Sequence, residues 1–211
     1  MEDWELYLVT EEDLSAGRKT MDVVKEAVAG GVDVVQLREK NKTTRAKYQL
    51  GQKIKRTLDN TGVDFIINDD PALALALDAD GVHLGDDDLT IKAAREILGP
   101  DKIIGYSTSN LAEVEQAKQQ GADYVGFGAI YHTSSKDVQS RRQGIGLERL
   151  KQLSPEVKIP IVAIGGINAG NIAKVKEAGA DTIAMISAIT GAENVKKEVQ
   201  NLKNKMGCKN D

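Results

Sequence analysis

The residues best equipped for chemistry sit in short polar clusters, each closing an apolar run. Gln36-Leu37-Arg38-Glu39-Lys40 follows VDVV, Asn68-Asp69-Asp70 follows DFII, and His83 leads into Gly85-Asp86-Asp87-Asp88. Ser107 ends KIIGYS, Gly165-Gly166 ends PIVAIGG and Ser187 ends TIAMIS. The stretch YVGFGAIYHTSSKDVQS passes from an apolar run with glycines into Thr133, Ser134, Ser135 and Lys136. Arginine and lysine suit a polyphosphate, the guanidinium through bidentate contact. Two carboxylates from adjacent strand ends can share a Mg²⁺ that keeps several waters and takes its remaining oxygens from substrate phosphates. Bare glycine backbone lets a phosphate approach N–H groups closely.

Every cluster also has a plainer reading. QLREK has the composition of a solvated charge run. An aspartate ahead of a helix is commonly a cap, which is expected of Asp70 before Pro71 and of Asp86 or Asp87 before Leu89-Thr90. Gly-Gly also permits a tight turn, and small hydroxyl residues beside a lysine serve a surface linker as well as an anion loop. The chain has two histidines, His83 and His132, and no Ser/His/Asp or Cys/His arrangement with local support. His83, on a strand, reads as a packed or hydrogen-bonded structural residue. A site with cations, hydroxyls and carboxylates but no evident general base suits departure of a charged leaving group. Positioning and charge neutralisation then carry the catalysis.

These clusters need a scaffold that brings strand ends together. The chain repeats a helix end followed by a strand in AGGVDVVQL, LDADGVHLG, QQGADYVGF and EAGADTIAM. In each, a small residue or glycine ends a helix and an aspartate turns the chain into a β-branched run. Strands are expected at LYLVT, VDVVQLR, DFIIND, GVHLG, KIIGYS, YVGFG, PIVAIGG and TIAMIS. Helical periodicity lies between them in TMDVVKEAVAG, TRAKYQLGQKIKRTLDN, ALALALDA, TIKAAREILG, NLAEVEQAKQQG, LERLKQL, NIAKVKEAG and AENVKKEVQNLKNKM. Strict alternation implies right-handed βαβ units around a parallel sheet. Eight units closing on themselves make a (β/α)₈ barrel, a TIM barrel, with its site at the carboxyl ends of the strands. An open doubly wound sheet is the alternative, without the usual GxGxxG after the first strand.

With 211 residues and 41% hydrophobic content, the chain is expected to form a single barrel domain over 1–211. A net charge of -4 argues against a general nucleic-acid surface. One cysteine, Cys208 in the polar tail, leaves no disulfide framework and fits a cytoplasmic setting. The acidic start MEDWELYLVTEED is unlike a secretory signal, and no apolar run approaches membrane-spanning length. The expected partners are therefore small molecules rather than nucleic acid or membrane. A homo-oligomer is compatible with the sequence.

Taken as a set, QLREK, NDD, DGVHLGDDD, IGYS, GADYVGFGAIYHTSSK, IPIVAIGGI and AMISAI resemble the motifs of the thiamine-phosphate synthase family, over nearly the whole chain. The resemblance implies a (β/α)₈ barrel that couples a hydroxymethylpyrimidine diphosphate to a thiazole phosphate or its carboxylated form. The products are thiamine phosphate and pyrophosphate, and Mg²⁺ is required. It assigns the pyrimidine diphosphate to Gln36, Leu37, Arg38, Glu39, Lys40, Asn68, Ser107 and Lys136. Of these, Arg38, Lys40, Ser107 and Lys136 are the expected catalytic residues. The thiazole phosphate falls to Thr133, Ser134, Ser135, Gly166, Ile186 and Ser187, and the metal to Asp69 and Asp88. The family commonly reads G-P-[IV]-[FY]-x-T-x-T-K where this chain has Ala129, His132 and Ser135. Ser135 keeps the hydroxyl, while the lost prolines leave the loop more freedom to surrender on binding. The related thiazole tautomerase, and a non-catalytic thiamine-phosphate sensor, are the competing readings. The tautomerase needs a placed histidine and no diphosphate site. Residues 137–144, DVQSRRQG, are expected to act as a lid.

Overall fold

The structure, a computed structural model, describes residues 1, 3–135 and 143–207. Eight strands form: β1 (Leu6–Val9), β2 (Val34–Leu37), β3 (Asp64–Asn68), β4 (Gly81–Leu84), β5 (Ile103–Thr108), β6 (Tyr124–Gly128), β7 (Ile161–Ile164) and β8 (Thr182–Met185). They pair in parallel in chain order, and β8 returns to β1 through Leu6–Ile183 and Leu8–Met185. Closure excludes the open doubly wound sheet. Helices α1 (Thr20–Gly30), α2 (Thr44–Leu58), α3 (Pro71–Ala76), α4 (Ile91–Leu98), α5 (Leu111–Gln120), α6 (Leu147–Leu153) and α7 (Ile172–Glu177) cover the strands. A four-residue turn of helix, α8 (Ser187–Thr190), precedes α9 (Val195–Lys205). Apolar periodicity anticipates the other helices but not α8, which is too short to show a period.

The strands read as continuous apolar runs because both faces are buried. Leu6, Leu8, Val35, Leu37, Phe65 and Ile67 face outward and pack under the helices with Val23, Val24 and Ile54. Tyr7, Val9, Val34, Ile66, Tyr124, Val162 and Ala184 face inward and fill the barrel. Hydroxyl and amide side chains start most of the longer helices: Thr43, Thr90, Asn110 and Asn194 accept from the backbone N–H three residues on. Asp70 caps α3 as expected, accepting from Leu73 N. The α4 cap is Thr90, not Asp86 or Asp87, because Thr90 directly precedes the first helical residue.

The repeated aspartate has a more specific task than turning the chain. Asp33 Oδ2 accepts from Leu6 N, Asp80 Oδ2 from Phe65 N, Asp123 Oδ2 from Ile104 N and Asp181 Oδ2 from Ile161 N. The aspartate before each even strand thus satisfies a backbone donor at the start of the preceding odd strand. The amino end of the barrel is stapled four times by one device, and this is the physical content of the sequence repeat.

Candidate active site

The carboxyl ends of the strands surround a cavity of about 200 Å³. Lys40, Asp69, Asp88, Ser107, Thr133 and Ser135 contribute to its lining, with Gly165, Gly166, Ile186 and Ser187 on the opposite chain segments. A smaller chamber of about 30 Å³ adjoins it deeper in the barrel, lined by Tyr7, Gln36, Arg38, His83 and Tyr124 among others. The two share Gly126, Ile164, Ala184 and Ile186.

One wall is acidic. Asp69 is the first residue past β3 and adopts φ 67, a left-handed conformation unusual for a non-glycine residue. It is held there by the hydrogen bond from its N–H to His83 O, at 2.8 Å. Asp88 returns from the turn after β4, where its Oδ2 accepts from Gly85 N at 2.7 Å. The two carboxyl groups then meet. Burial pushes the Asp88 carboxyl up to about 6, the Gly85 hydrogen bond opposes this, and the Asp69 charge adds to it. A nearby cation among the described residues is Lys40, 3.6 Å from Asp69 Oδ2. Two opposed carboxylates beside an open cavity fit a divalent cation, which would relieve their repulsion. Among the described residues no group of three or more His, Cys, Asp or Glu converges on a metal position, so other ligands would have to come from water and substrate.

The facing wall offers hydroxyls and bare backbone. Ser135 Oγ and Ser187 Oγ lie 2.8 Å apart, joining the β6 loop to the start of α8. Thr133 Oγ1 accepts from Ser135 N at 3.2 Å. Gly166 adopts φ 64 and a Cβ there would lie 2.7 Å from His132 O, so this close passage of two loops requires glycine. Gln143, which the sequence marked only as part of the expected lid, clamps the β6 loop: Thr133 N donates to its Oε1 at 3.2 Å and its Nε2 donates to Thr133 O at 2.9 Å.

Several expected residues are placed differently. Arg38 is not an open cation at the mouth. It is buried, its Nη1 pairs with Glu11, and its Nε has no hydrogen-bond partner among the described residues. Burial pushes the Glu11 carboxyl above its ordinary value, against the pull of Arg38. Gln36 and Arg38 both face the inner chamber, the shared parity expected of alternate strand residues. Leu37 and Glu39 are not brought to the cavity. Leu37 packs in the outer core, and Glu39 accepts from Thr20 Oγ1 at 2.6 Å and Glu12 N at 3.1 Å. The cause is again strand parity, which turns both away from the barrel axis. Ser134 is exposed and does not line the cavity, and Asn68 ends β3 half-buried outside both linings. Lys136 and the expected lid up to Arg142 lie outside the described residues.

The fold and the cavity define a class: a (β/α)₈-barrel enzyme with a small-molecule site at the carboxyl ends of its strands. The family described as thiamine monophosphate synthase matches residues 6–189. The chain belongs to that family. It is 50% identical over 195 residues to the thiamine-phosphate synthase of Haloarcula marismortui, covering 92% of both proteins. It is 45% identical to that of Syntrophomonas wolfei, covering 95% of both. A solved thiamine phosphate pyrophosphorylase from Pyrococcus furiosus superposes with a TM-score of 0.88 at 40% identity, over 96% of this chain and 95% of that one. The activity is that of a thiamine-phosphate synthase, as the family resemblance implies. Among the described residues no helix is long and apolar enough to cross a membrane.

Proposed function

We infer that thiamine-phosphate synthesis takes place in the cavity at the barrel mouth. Hydroxymethylpyrimidine diphosphate enters with its ring toward the inner chamber and its diphosphate toward Asp69, Asp88 and Lys40. Asp69 and Asp88 would hold Mg²⁺, which when bound would neutralise charge on the departing pyrophosphate. Lys40 adds positive charge on the same wall, and Lys136 is assigned there by resemblance. The thiazole phosphate lies against Thr133, Ser135, Gly166, Ile186 and Ser187. The bond from the pyrimidine methylene carbon to the diphosphate oxygen breaks, and its electron pair leaves with pyrophosphate. The electron-rich aminopyrimidine stabilises the resulting cation until the thiazole nitrogen supplies an electron pair and forms the new C–N bond. That nitrogen carries no proton to remove, so the step needs no general base.

The observation that carries this reading is one cavity with an opposed carboxylate pair on one wall and a Ser135–Ser187 hydroxyl pair on the other. Purified protein given Mg²⁺ and both phosphorylated precursors should release pyrophosphate and form thiamine phosphate in equal amounts. Binding of both precursors without product would favour a sensor. Isomerisation of the thiazole carboxylate phosphate alone would favour a tautomerase.

A further inference from the structure

We propose that Tyr7, Tyr124 and His83 are positioning residues, linked in a one-way hydrogen-bond chain that fixes the polarity of Gln36 and Ser107 toward the pyrimidine diphosphate. The proposal rests on the reading of the cavity given above. The chain runs through the barrel interior. Gln36 Nε2 donates to Tyr7 Oη at 2.6 Å, Tyr7 Oη meets Tyr124 Oη at 3.1 Å, and Tyr124 Oη meets His83 Nδ1 at 3.0 Å. His83 Nε2 then meets Ser107 Oγ at 3.0 Å.

The direction follows from counting hydrogens. A phenol has one to give. Burial pushes both Tyr7 and Tyr124 above the ordinary phenol value, so both keep that hydrogen at neutral pH. Tyr7 already accepts from Gln36, and among the described residues its own hydrogen has Tyr124 Oη as its acceptor. Tyr124, having accepted, gives its hydrogen to His83 Nδ1. A neutral imidazole that accepts at Nδ1 carries its proton on Nε2, which donates to Ser107 Oγ. The reverse direction at Tyr124 would send two donors to Tyr7 and leave the Tyr7 hydrogen without an acceptor among the described residues.

Both ends are thereby polarised. Gln36 spends a donor on Tyr7 and keeps Oε1, an acceptor, for the inner chamber that it lines. Ser107 accepts from His83 and keeps its hydroxyl hydrogen for the main cavity that it lines. An aminopyrimidine carrying a diphosphate offers an amine donor and several acceptors, the complementary arrangement. The fold makes room for these rings. A Cβ at Gly105 would lie 2.1 Å from Tyr124 Cζ, and one at Gly126 would lie 2.8 Å from His83 Cε1. Trp4 packs edge-on against Tyr7 and Tyr124, and His83 stacks on Tyr124 with ring centroids 5.5 Å apart. The rings therefore have little freedom to break the chain.

The decisive measurement needs no turnover. In protein labelled with ¹⁵N-histidine, the two histidines are separated by a His83→Gln variant. His83 should show a pyridine-type Nδ1 and a pyrrole-type Nε2, and Tyr124→Phe should collapse this into a tautomer mixture. A pyrrole-type Nδ1, or a mixture in the unaltered protein, overturns the proposal even if the enzyme makes thiamine phosphate. In kinetics, Tyr124→Phe should lower kcat about 10- to 100-fold by misorienting Ser107, with KM for the thiazole phosphate unchanged. In a Ser107→Ala background the same change should cost less, because the share of its effect that passes through Ser107 is already lost. Additive losses in that cycle would reduce Tyr124 to a packing residue.

Discussion

Asp33 and Asp88 are both half-buried aspartates next to strand termini, yet they stand in opposite surroundings. Asp33 Oδ2 accepts from Leu6 N and Glu5 N at the start of β1, and its other oxygen lies 3.1 Å from Lys203. Burial works against the Lys203 charge, but Asp33 and Glu5 outweigh it and hold the ammonium above its usual range. Asp88 has one backbone donor and a second carboxylate in front of it. At the amino end of the barrel, all four stapling aspartates accept from a backbone N–H, and Asp33, Asp80 and Asp123 each also face a lysine or arginine. At the carboxyl end, like charges are set together around open space. A matched carboxylate stabilises the chain that folds around it, whereas an opposed pair is a local cost retained where something else binds.

The contrast is tested most severely by removing the opposed pair. Asp69→Ala or Asp88→Ala should lower Mg²⁺-dependent turnover by at least about 10²- to 10³-fold, the scale of losing a charge-stabilising group, while thermal unfolding stays cooperative. Full activity in both variants would end the metal assignment. Asp33→Ala should do the converse. It strands two backbone donors and takes one carboxylate from Lys203, so urea unfolding should show a loss of about 2–3 kcal/mol with kcat unchanged. A change in turnover with intact stability would mean that the two ends are not separable in this way.

The amino end was the more legible half because its device repeats. Four similar segments announced four similar junctions, and the alternation of strand and helix led to the closed barrel. The hydrogen bond that each aspartate accepts from the preceding strand was hidden, since it joins residues up to 28 positions apart, as in Glu5 N to Asp33. At the carboxyl end, polar residues at strand ends marked the right places, and Asp69, Asp88, Ser107, Thr133, Ser135 and Ser187 do line or face one cavity. Parity decided the rest. In QLREK the alternation expected of a strand puts Gln36 and Arg38 on one face and turns Leu37 and Glu39 outward, although the resemblance gave all of them to the substrate. Tyr7 and Tyr124 sit inside apolar runs, where a tyrosine reads as core, and it is the hydroxyls meeting across 117 positions that give them a polar role. Gln143 is one polar residue among many in its segment, and only its contact with Thr133 distinguishes it.

The smallest expected effect probes the same opposed pair through stability alone. In the absence of divalent metal, the Asp88 carboxyl stands at about 6 in the folded protein against 3.8 as its ordinary value. Below pH 3.8 both states hold the proton and the carboxyl costs nothing. Between 3.8 and 6 the folded state keeps a proton that the unfolded state has released, so stability falls as pH rises, and above 6 the cost is complete. Asp88→Asn keeps an oxygen for Gly85 N and removes the charge. With a chelator at pH 7 it should be more stable than the unaltered protein by about 1 kcal/mol, a shift reduced by the water that reaches a half-exposed pair. That gain should correspond to about 2–4 °C in Tm and vanish near pH 4. Adding Mg²⁺ at pH 7 should raise the Tm of the unaltered protein and leave the variant where it was, because only the carboxylate pair binds the ion in the folded state. Equal Tm values for the two proteins at pH 7 without metal would mean that the carboxylates are not opposed, and the contrast between the barrel's two ends would fail there.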